Sequence, residues 1–458
     1  MDAPIDYASR IPQEIHVLPS FELESGAVLE QAPIAYKTWG KLSYERNNVM
    51  VICHAFTGSS DVEDWWGPLM GIGKAFDPSR YFIFCGNVMG SPYGSASPVT
   101  LNPVSKRPYG PEFPATTIRD DVNAHKLVLD HLGVTSVAVV VGGSMGGMAV
   151  LEWPLCTPKG YVKHIIPLAT SARHSAWCIS WSEAQRQSIY ADPLFQDGYY
   201  APHAQPKVGL AAARMAALLT YRSRDSFEGR FGRKPQLYVA PVTTKAASPL
   251  PITPPRSPSS SSLTALAAHN EGNRNSTSTP VATPGLEPTP SGTPKSNPTT
   301  VFSAQSYLRY QGDKFTARFD ANCYLHITRK LDTHDVSRGR VPDEESAERA
   351  LAEVLGTLPR GALVIGIETD GLFTPSEQRE LAAYIPDAQL VIIQSKDGHD
   401  GFLLEFEEIN RHLLGFLHKM LPQLYQGKAL VKAEDVNTSF EVTRTSTFGE
   451  AEVDVALW

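Results

Sequence analysis

Nowhere does the 458-residue chain carry eighteen uninterrupted apolar residues, and it has no block of Lys and Arg. The first absence argues against a membrane-spanning helix, the second against a nucleic-acid face or a basic membrane patch. The formal net charge of −7 is modest and implies neither partner. The opening stretch MDAPIDYASRIPQEIHVLPSF lacks a basic region followed by an apolar one, so no secretory signal is read and a cytoplasmic location is expected. Cysteine is scarce: Cys53, Cys85, Cys156, Cys178 and Cys323 are an odd, scattered set without a C-x-x-C pair, which fits reduced thiols. His54, His125, His131, His164, His174 and His326 lie in or beside periodic segments without metal-ligand spacing, and no metal is expected.

With 42% hydrophobic and 19% charged residues, a chain of this length can bury a large core, as one large domain or two ordinary ones. NVMVICH (48–54) and YFIFCGNV (81–88) are short apolar runs that end in turn residues and read as strands. TTIRDDVNAHKLVLDHLG (116–133) reads as a helix: Thr117 and Asp120 form a capping box, Ile118, Val122, Leu129 and Leu132 an apolar stripe, and Gly133 a stop. Strand, helix and strand in alternation predict a parallel α/β sheet.

The middle of the chain changes character. Segments 182–193, 209–233 and 307–332 read as helices inserted on the sheet, and between them 241–300 is rich in Pro, Ser and Thr with no aromatic residue. Such a tract buries too little apolar surface to offset its ordering entropy, so a disordered loop is expected. Strands and helices resume at ALVIGIETDG (362–371) and run to about Met420. The expected organisation is a first core part at 1–175, a helical lid region at 176–335, a second core part at 336–426 and a loosely attached tail at 427–458.

One short stretch carries the chemistry. VAVVVGGSMGGMAVLEW (137–153) places Ser144 between two glycine pairs where an apolar run meets helical spacing. The glycines alone are compatible with close packing at a plain connector. The form Gly142-x-Ser144-x-Gly146, strand before and helix after, is also that of a nucleophile elbow. A serine hydroxyl is a poor nucleophile unless a base takes its proton and an acid orients that base. Asp370 follows one late apolar run and His399 the next, in the order Ser, Asp, His. Either alone reads as a turn residue; the three in order point to a catalytic triad.

Beyond these residues, HAFTGSSDVEDWWGPLMG, PEFPATTIRDDV, GGSMGGMAVLEW, TSARHSAWCISWSEAQRQSIYADP, LAAARMAALLTYRSRDSFEGRFGR and KDGHDGFL closely resemble the homoserine O-acetyltransferases, above all the fungal form, within the α/β-hydrolase superfamily. The likeness covers most of 16–420 outside the Pro/Ser/Thr tract. It implies an α/β-hydrolase fold with a mostly parallel central sheet and an α-helical lid insertion. Carried over by position, it makes Ser144 the nucleophile, Asp370 the acid and His399 the base. The backbone N–H groups of Phe56 and Met145 become the oxyanion donors, and Arg214, Tyr221 and Asp400 bind substrate. Phe56 stands where many relatives have Leu, and Gly401 where many have Ala.

The implied reaction is transfer of acetyl from acetyl-CoA to the hydroxyl of L-homoserine, with acetyl-CoA as co-substrate, no tightly bound cofactor, and a homodimer in the cytoplasm. A triad alone leaves open an esterase or thioesterase, and the sequence leaves open succinyl-CoA as donor and L-serine or another alcohol as acceptor.

Overall fold

The computed structural model describes residues 5–236, 269–274, 301–342, 346–426 and 429–431. An eight-stranded sheet carries β1 (Glu14–Glu22), β2 (Val28–Trp39), β3 (Val49–Cys53), β4 (Phe82–Gly86), β5 (Val137–Gly143), β6 (Val162–Leu168), β7 (Leu363–Ile367) and β8 (Gln389–Ile393). Its spatial order is β1-β2-β4-β3-β5-β6-β7-β8. The first two strands join antiparallel, β2 pairs antiparallel with β4, and the rest run parallel. The expected parallel α/β architecture is therefore the observed one.

The interior strands are apolar on both faces because helices cover both faces. Alternate β3 residues face opposite layers: Val49, Val51 and Cys53 join one core, Met50 and Ile52 the other. All five are buried. Burying each such aliphatic side chain contributes about 1.5–3 kcal/mol, so this layered pattern fixes the strand's register.

Helix α1 (Ile118–His131) starts as the sequence predicts: the Asp120 amide donates to the Thr117 hydroxyl, and the Thr117 amide donates to the Asp120 carboxylate at 2.8 Å. Helix α2 (Met145–Cys156) follows β5 directly. Among the described residues of 176–335, five helices of at least seven residues follow β6: α3 (Ala176–Tyr190), α4 (Lys207–Tyr221), α5 (Arg224–Arg230), α6 (Ser303–Thr316) and α7 (Ala321–Asp332). A buried ion pair fastens this insertion to the core, with Lys330 Nζ 2.6 Å from the Asp121 carboxylate and donating to Met89 O at 2.7 Å. Helices α8 (Ala347–Leu355), α9 (Pro375–Tyr384) and α10 (Phe406–Met420) complete the second part.

The expected disordered loop at 241–300 lies outside the described residues except for 269–274, and there the expectation needs correcting. Glu271 pairs with Arg309 at 2.5 Å and Arg274 with Asp313 at 2.7 Å, so two charges of this sparsely charged stretch dock on α6. Within the tail at 427–458 only 429–431 are described, where the Leu430 amide donates to Ser79 O at 2.8 Å.

Candidate active site

Parallel sheets present chemistry at the carboxyl ends of their strands, and three such ends meet here. Ser144 follows β5 immediately, Asp370 lies just past β7, and His399 sits in a turn after β8. The Ser144 backbone has φ 57° and ψ −127°, a conformation an L-residue adopts only under constraint. The constraint is visible. The Ser144 amide donates to Leu168 O at 3.0 Å, and Thr170 Oγ1 donates to Ser144 O at 2.7 Å.

Gly142 and Gly146 make the turn possible through close approach. A Cβ on Gly142 would sit 2.7 Å from Gly146 O and 2.8 Å from Cys53 O, and one on Gly146 would collide with the Cys53 carbonyl. Close packing and the nucleophile elbow are thus two aspects of the same turn.

Ser144 Oγ lies 2.9 Å from His399 Nε2, and His399 Nδ1 lies 2.7 Å from Asp370 Oδ2. A carboxylate only accepts, so Nδ1 carries the ring proton and Nε2 offers its lone pair to the serine hydroxyl. Asp370 is held in turn, its Oδ1 accepting from the amides of Leu372 at 2.8 Å and Phe373 at 2.9 Å. The imidazole is enclosed by the rings of Phe402 at 5.0 Å, Phe373 at 5.3 Å and Tyr221 at 6.1 Å between centroids. Water is largely excluded, which strengthens each charge-assisted contact.

The loop after β3 runs beside the start of α2, because a Gly146 side chain would also meet His54 O. Met145 is the first residue of α2, and the first helical bond comes from the Met148 amide to Ser144 O at 3.2 Å. The amides before it belong to the helix's positive end and are suited to receive an anion.

Phe56 is set by a residue the sequence reading passed over. The Val88 amide donates to His54 Nε2 at 3.1 Å, so His54 Nδ1 carries the proton and donates to Ala55 O at 2.8 Å. Gly58 N also donates to that oxygen, at 3.1 Å. In a trans peptide the N–H points opposite to the C=O, so the Phe56 N–H is turned away from both donors. Burial lowers the His54 pKa to about 4 and keeps the ring neutral. Arg318 braces the same loop, donating to Thr57 O at 3.2 Å and to the Tyr93 hydroxyl at 2.8 Å.

The helical insertion supplies the other side. Arg214 and Tyr221 share one face of α4, and the Arg214 guanidinium lies over the rings of Tyr221 at 5.6 Å and Phe315 at 5.0 Å. Arg214 is 2% exposed, and the Tyr221 ring links it to His399. Asp400 is also buried, and its neighbour is one the sequence did not disclose: Arg222 Nε lies 2.6 Å from its Oδ2. This is an ion pair by distance, without the alignment of a directed hydrogen bond.

A cavity of about 820 Å³ lies elsewhere, between the start of α1, α7 and residues 334–338, and no triad residue lines it. Among the described residues no group of three or more His, Cys, Asp and Glu side chains could hold a metal, and no helix is long and apolar enough to cross a membrane.

An elbow serine, a base and an acid in one hydrogen-bonded line can carry out acyl transfer or hydrolysis, and comparison with known proteins narrows the choice. The model of the alpha/beta hydrolase fold matches residues 48–406. A homoserine O-acetyltransferase of Cryptococcus neoformans var. grubii is 52% identical over 515 aligned residues, covering 99% of this chain and 97% of that protein. The Saccharomyces cerevisiae homoserine O-acetyltransferase is 51% identical, covering 97% and 94%.

The chain belongs to the homoserine O-acetyltransferase family.

Among solved structures, the homoserine O-acetyltransferase of Bacillus anthracis superposes with a TM-score of 0.69 at 19% identity, covering 88% of this chain and 97% of that one. Esterase E22 also gives 0.69, at 22% identity, over 88% and 99%. Both likenesses speak for the α/β-hydrolase fold, which the homoserine O-acetyltransferase family shares with esterases.

Proposed function

We propose that this protein transfers the acetyl group of acetyl-CoA to the side-chain hydroxyl of L-homoserine, giving O-acetyl-L-homoserine and CoA, as a step of methionine biosynthesis. The observation that carries the reading is the Ser144–His399–Asp370 line on a strained elbow, in a chain about half identical to named homoserine O-acetyltransferases along nearly its whole length.

The reaction runs in two halves. His399 Nε2 takes the Ser144 proton as Oγ attacks the thioester carbon, and the negative charge on the carbonyl oxygen is received by the Phe56 and Met145 N–H groups. The C–S bond breaks, the thiol leaves with the proton from His399, and acetyl-Ser144 remains. The homoserine hydroxyl then gives its proton to His399 and attacks the acetyl carbon. Its ester forms as the Ser144–acyl bond breaks, and the serine regains the proton. Asp370 keeps the imidazole in the required tautomer and stabilises its charged form.

Homoserine arrives as a zwitterion. Arg214 receives its carboxylate, with Tyr221 lining the path to His399, and Asp400 receives its ammonium. A planar guanidinium pairs with a carboxylate through two N–H groups, which supports Arg214 in this role. Helices α3 to α7 act as the lid, acetyl-CoA is a co-substrate, and the working unit is a cytoplasmic homodimer.

Steady-state rates with acetyl-CoA and succinyl-CoA, each against homoserine and serine, test the proposal. The acetyl-CoA and homoserine pair is expected to exceed every other combination. Equal thioester cleavage with and without homoserine would instead make the protein a hydrolase.

A further inference from the structure

The turn that carries His399 is gripped from the insertion side. Where α4 ends, Arg222 turns to extended backbone and leaves the helix towards the residues after β8. Its Nη1 lies 3.0 Å from Asp397 Oδ1 and its Nε 2.6 Å from Asp400 Oδ2, so one guanidinium spans the two carboxylates that flank Gly398 and His399. Asp397 takes further support from the Ser226 hydroxyl at 2.7 Å and Arg230 at 3.2 Å, and Ser223 Oγ donates to Lys396 O. The two backbones touch as well: a Cβ on Gly398, whose φ is +67°, would sit 2.5 Å from the Ser223 amide nitrogen.

We infer that Arg222 is a positioning residue for the acceptor half of the reaction: by bridging Asp397 and Asp400 it holds the Asp400 carboxylate where the homoserine ammonium docks. The inference rests on the transferase reading above. The Arg222 and Asp400 side chains are each 3% exposed. A buried carboxylate at Asp400 and a half-buried one at Asp397 share this guanidinium, and nearby cations offset their mutual repulsion and lost solvation. Burial opposes charge on Asp397, yet the Ser226 hydroxyl, Arg222 and Arg230 outweigh it and hold its carboxyl below the usual range. Two guanidiniums balance two carboxylates, and a zwitterion entering between Arg214 and Asp400 leaves the balance unchanged. A lysine would keep the charge of Arg222 but not a rigid fork that serves two carboxylates at once.

The test uses full-length Arg222→Gln, Arg222→Lys, Asp400→Asn and the Arg222→Gln/Asp400→Asn double variant. Two quantities are read: the burst of thiol from acetyl-CoA alone, and kcat/KM for homoserine. Arg222→Gln should lower kcat/KM for homoserine by on the order of tenfold or more, mainly through KM, with the burst within about threefold of wild type. If Arg222 acts through Asp400, the double variant should match Asp400→Asn within about twofold.

Arg222→Lys should recover part of the loss, and it decides the matter if Arg222→Gln does not fold. Equal losses in burst and transfer, additive losses in the double variant, or wild-type kinetics in Arg222→Lys would each overturn the inference. An Asp400→Asn protein with unchanged homoserine kinetics would sink the ammonium-site reading itself, and the role of Arg222 with it.

Discussion

The site has two halves built on different principles. Ser144, Asp370 and His399 stand at strand ends, each within a few residues of a turn, and the Ser144 turn is set by its own glycines and by neighbouring carbonyls. Arg214, Tyr221 and Arg222 stand on α4 and its end, far from those strands in sequence, and reach the site through packing and buried ion pairs. The contrast separates general from particular chemistry. In the proposed mechanism the strand-end triad makes the acyl-serine, while the insertion selects what removes the acyl group.

Breaking the strand half should have the larger effect. Ser144→Ala removes the attacking atom and is expected to cut acetyl transfer by on the order of 10⁴-fold or more, with the melting temperature nearly unchanged. Both the thiol burst and steady-state product formation read this. Retention of the burst would mean that another nucleophile takes the acetyl group.

Breaking the insertion half should spare the first step. Arg214→Ala is expected to leave the acetyl-CoA burst in place while transfer to homoserine falls roughly a hundredfold, as for loss of a charge-assisted pair of about 3 kcal/mol. Homoserine methyl ester, which lacks the carboxylate charge, should barely distinguish the variant from wild type. A lost burst would place Arg214 in CoA binding or in the scaffold.

The same division governs what could be read from the sequence. The elbow was legible because G-x-S-x-G makes a local demand, and the φ of 57° at Ser144 shows that demand being met. The order of Asp370 and His399 followed from one apolar run each. His54 was passed over because a buried histidine looks alike in sequence whether or not it shapes a loop; its bracing of the loop after β3 appears only with the amide of Val88, thirty-four residues on. Arg222 and Arg318 were equally silent, since their partners lie 175 and 261 residues away in the chain. The Pro/Ser/Thr composition of 241–300 masked the few charges that dock on α6.

A third prediction draws on buried titratable groups outside the two halves. Burial lowers the pKa of His54, His125 and His334 to about 4, against an ordinary value near 6.5. The unfolded chain then binds more protons than the folded one between these values, so stability is fully present above about pH 6.5 and is lost as pH falls towards 4. Each histidine contributes up to about 3 kcal/mol to that loss. Asp121, raised to about 6 by burial against the pull of Lys330, and Glu377, raised to about 7 chiefly by burial, work in the opposite direction and offset part of it. Thermal melting from pH 7.5 down to 4.5 should show a falling midpoint; a maximum near pH 5 would contradict the assignment.

The smallest effect is expected in the Pro/Ser/Thr tract. Replacing residues 245–298 by a short Gly/Ser connector removes the Glu271 and Arg274 pairs to α6, which are partly exposed. Pairs of this kind contribute about 0–1 kcal/mol each, so the melting midpoint should move by only a few degrees and turnover hardly at all. A large drop in either would give the tract a structural role.

The division of labour is tested most directly by following the acetyl group itself. Wild-type protein mixed with acetyl-CoA alone, quenched and digested for mass spectrometry, should carry acetyl on the peptide containing Ser144. Homoserine added before the quench should clear that label at least about a hundredfold faster than water does and yield O-acetylhomoserine. Acetyl on a residue other than Ser144, or clearance at the same rate with and without homoserine, would contradict the account.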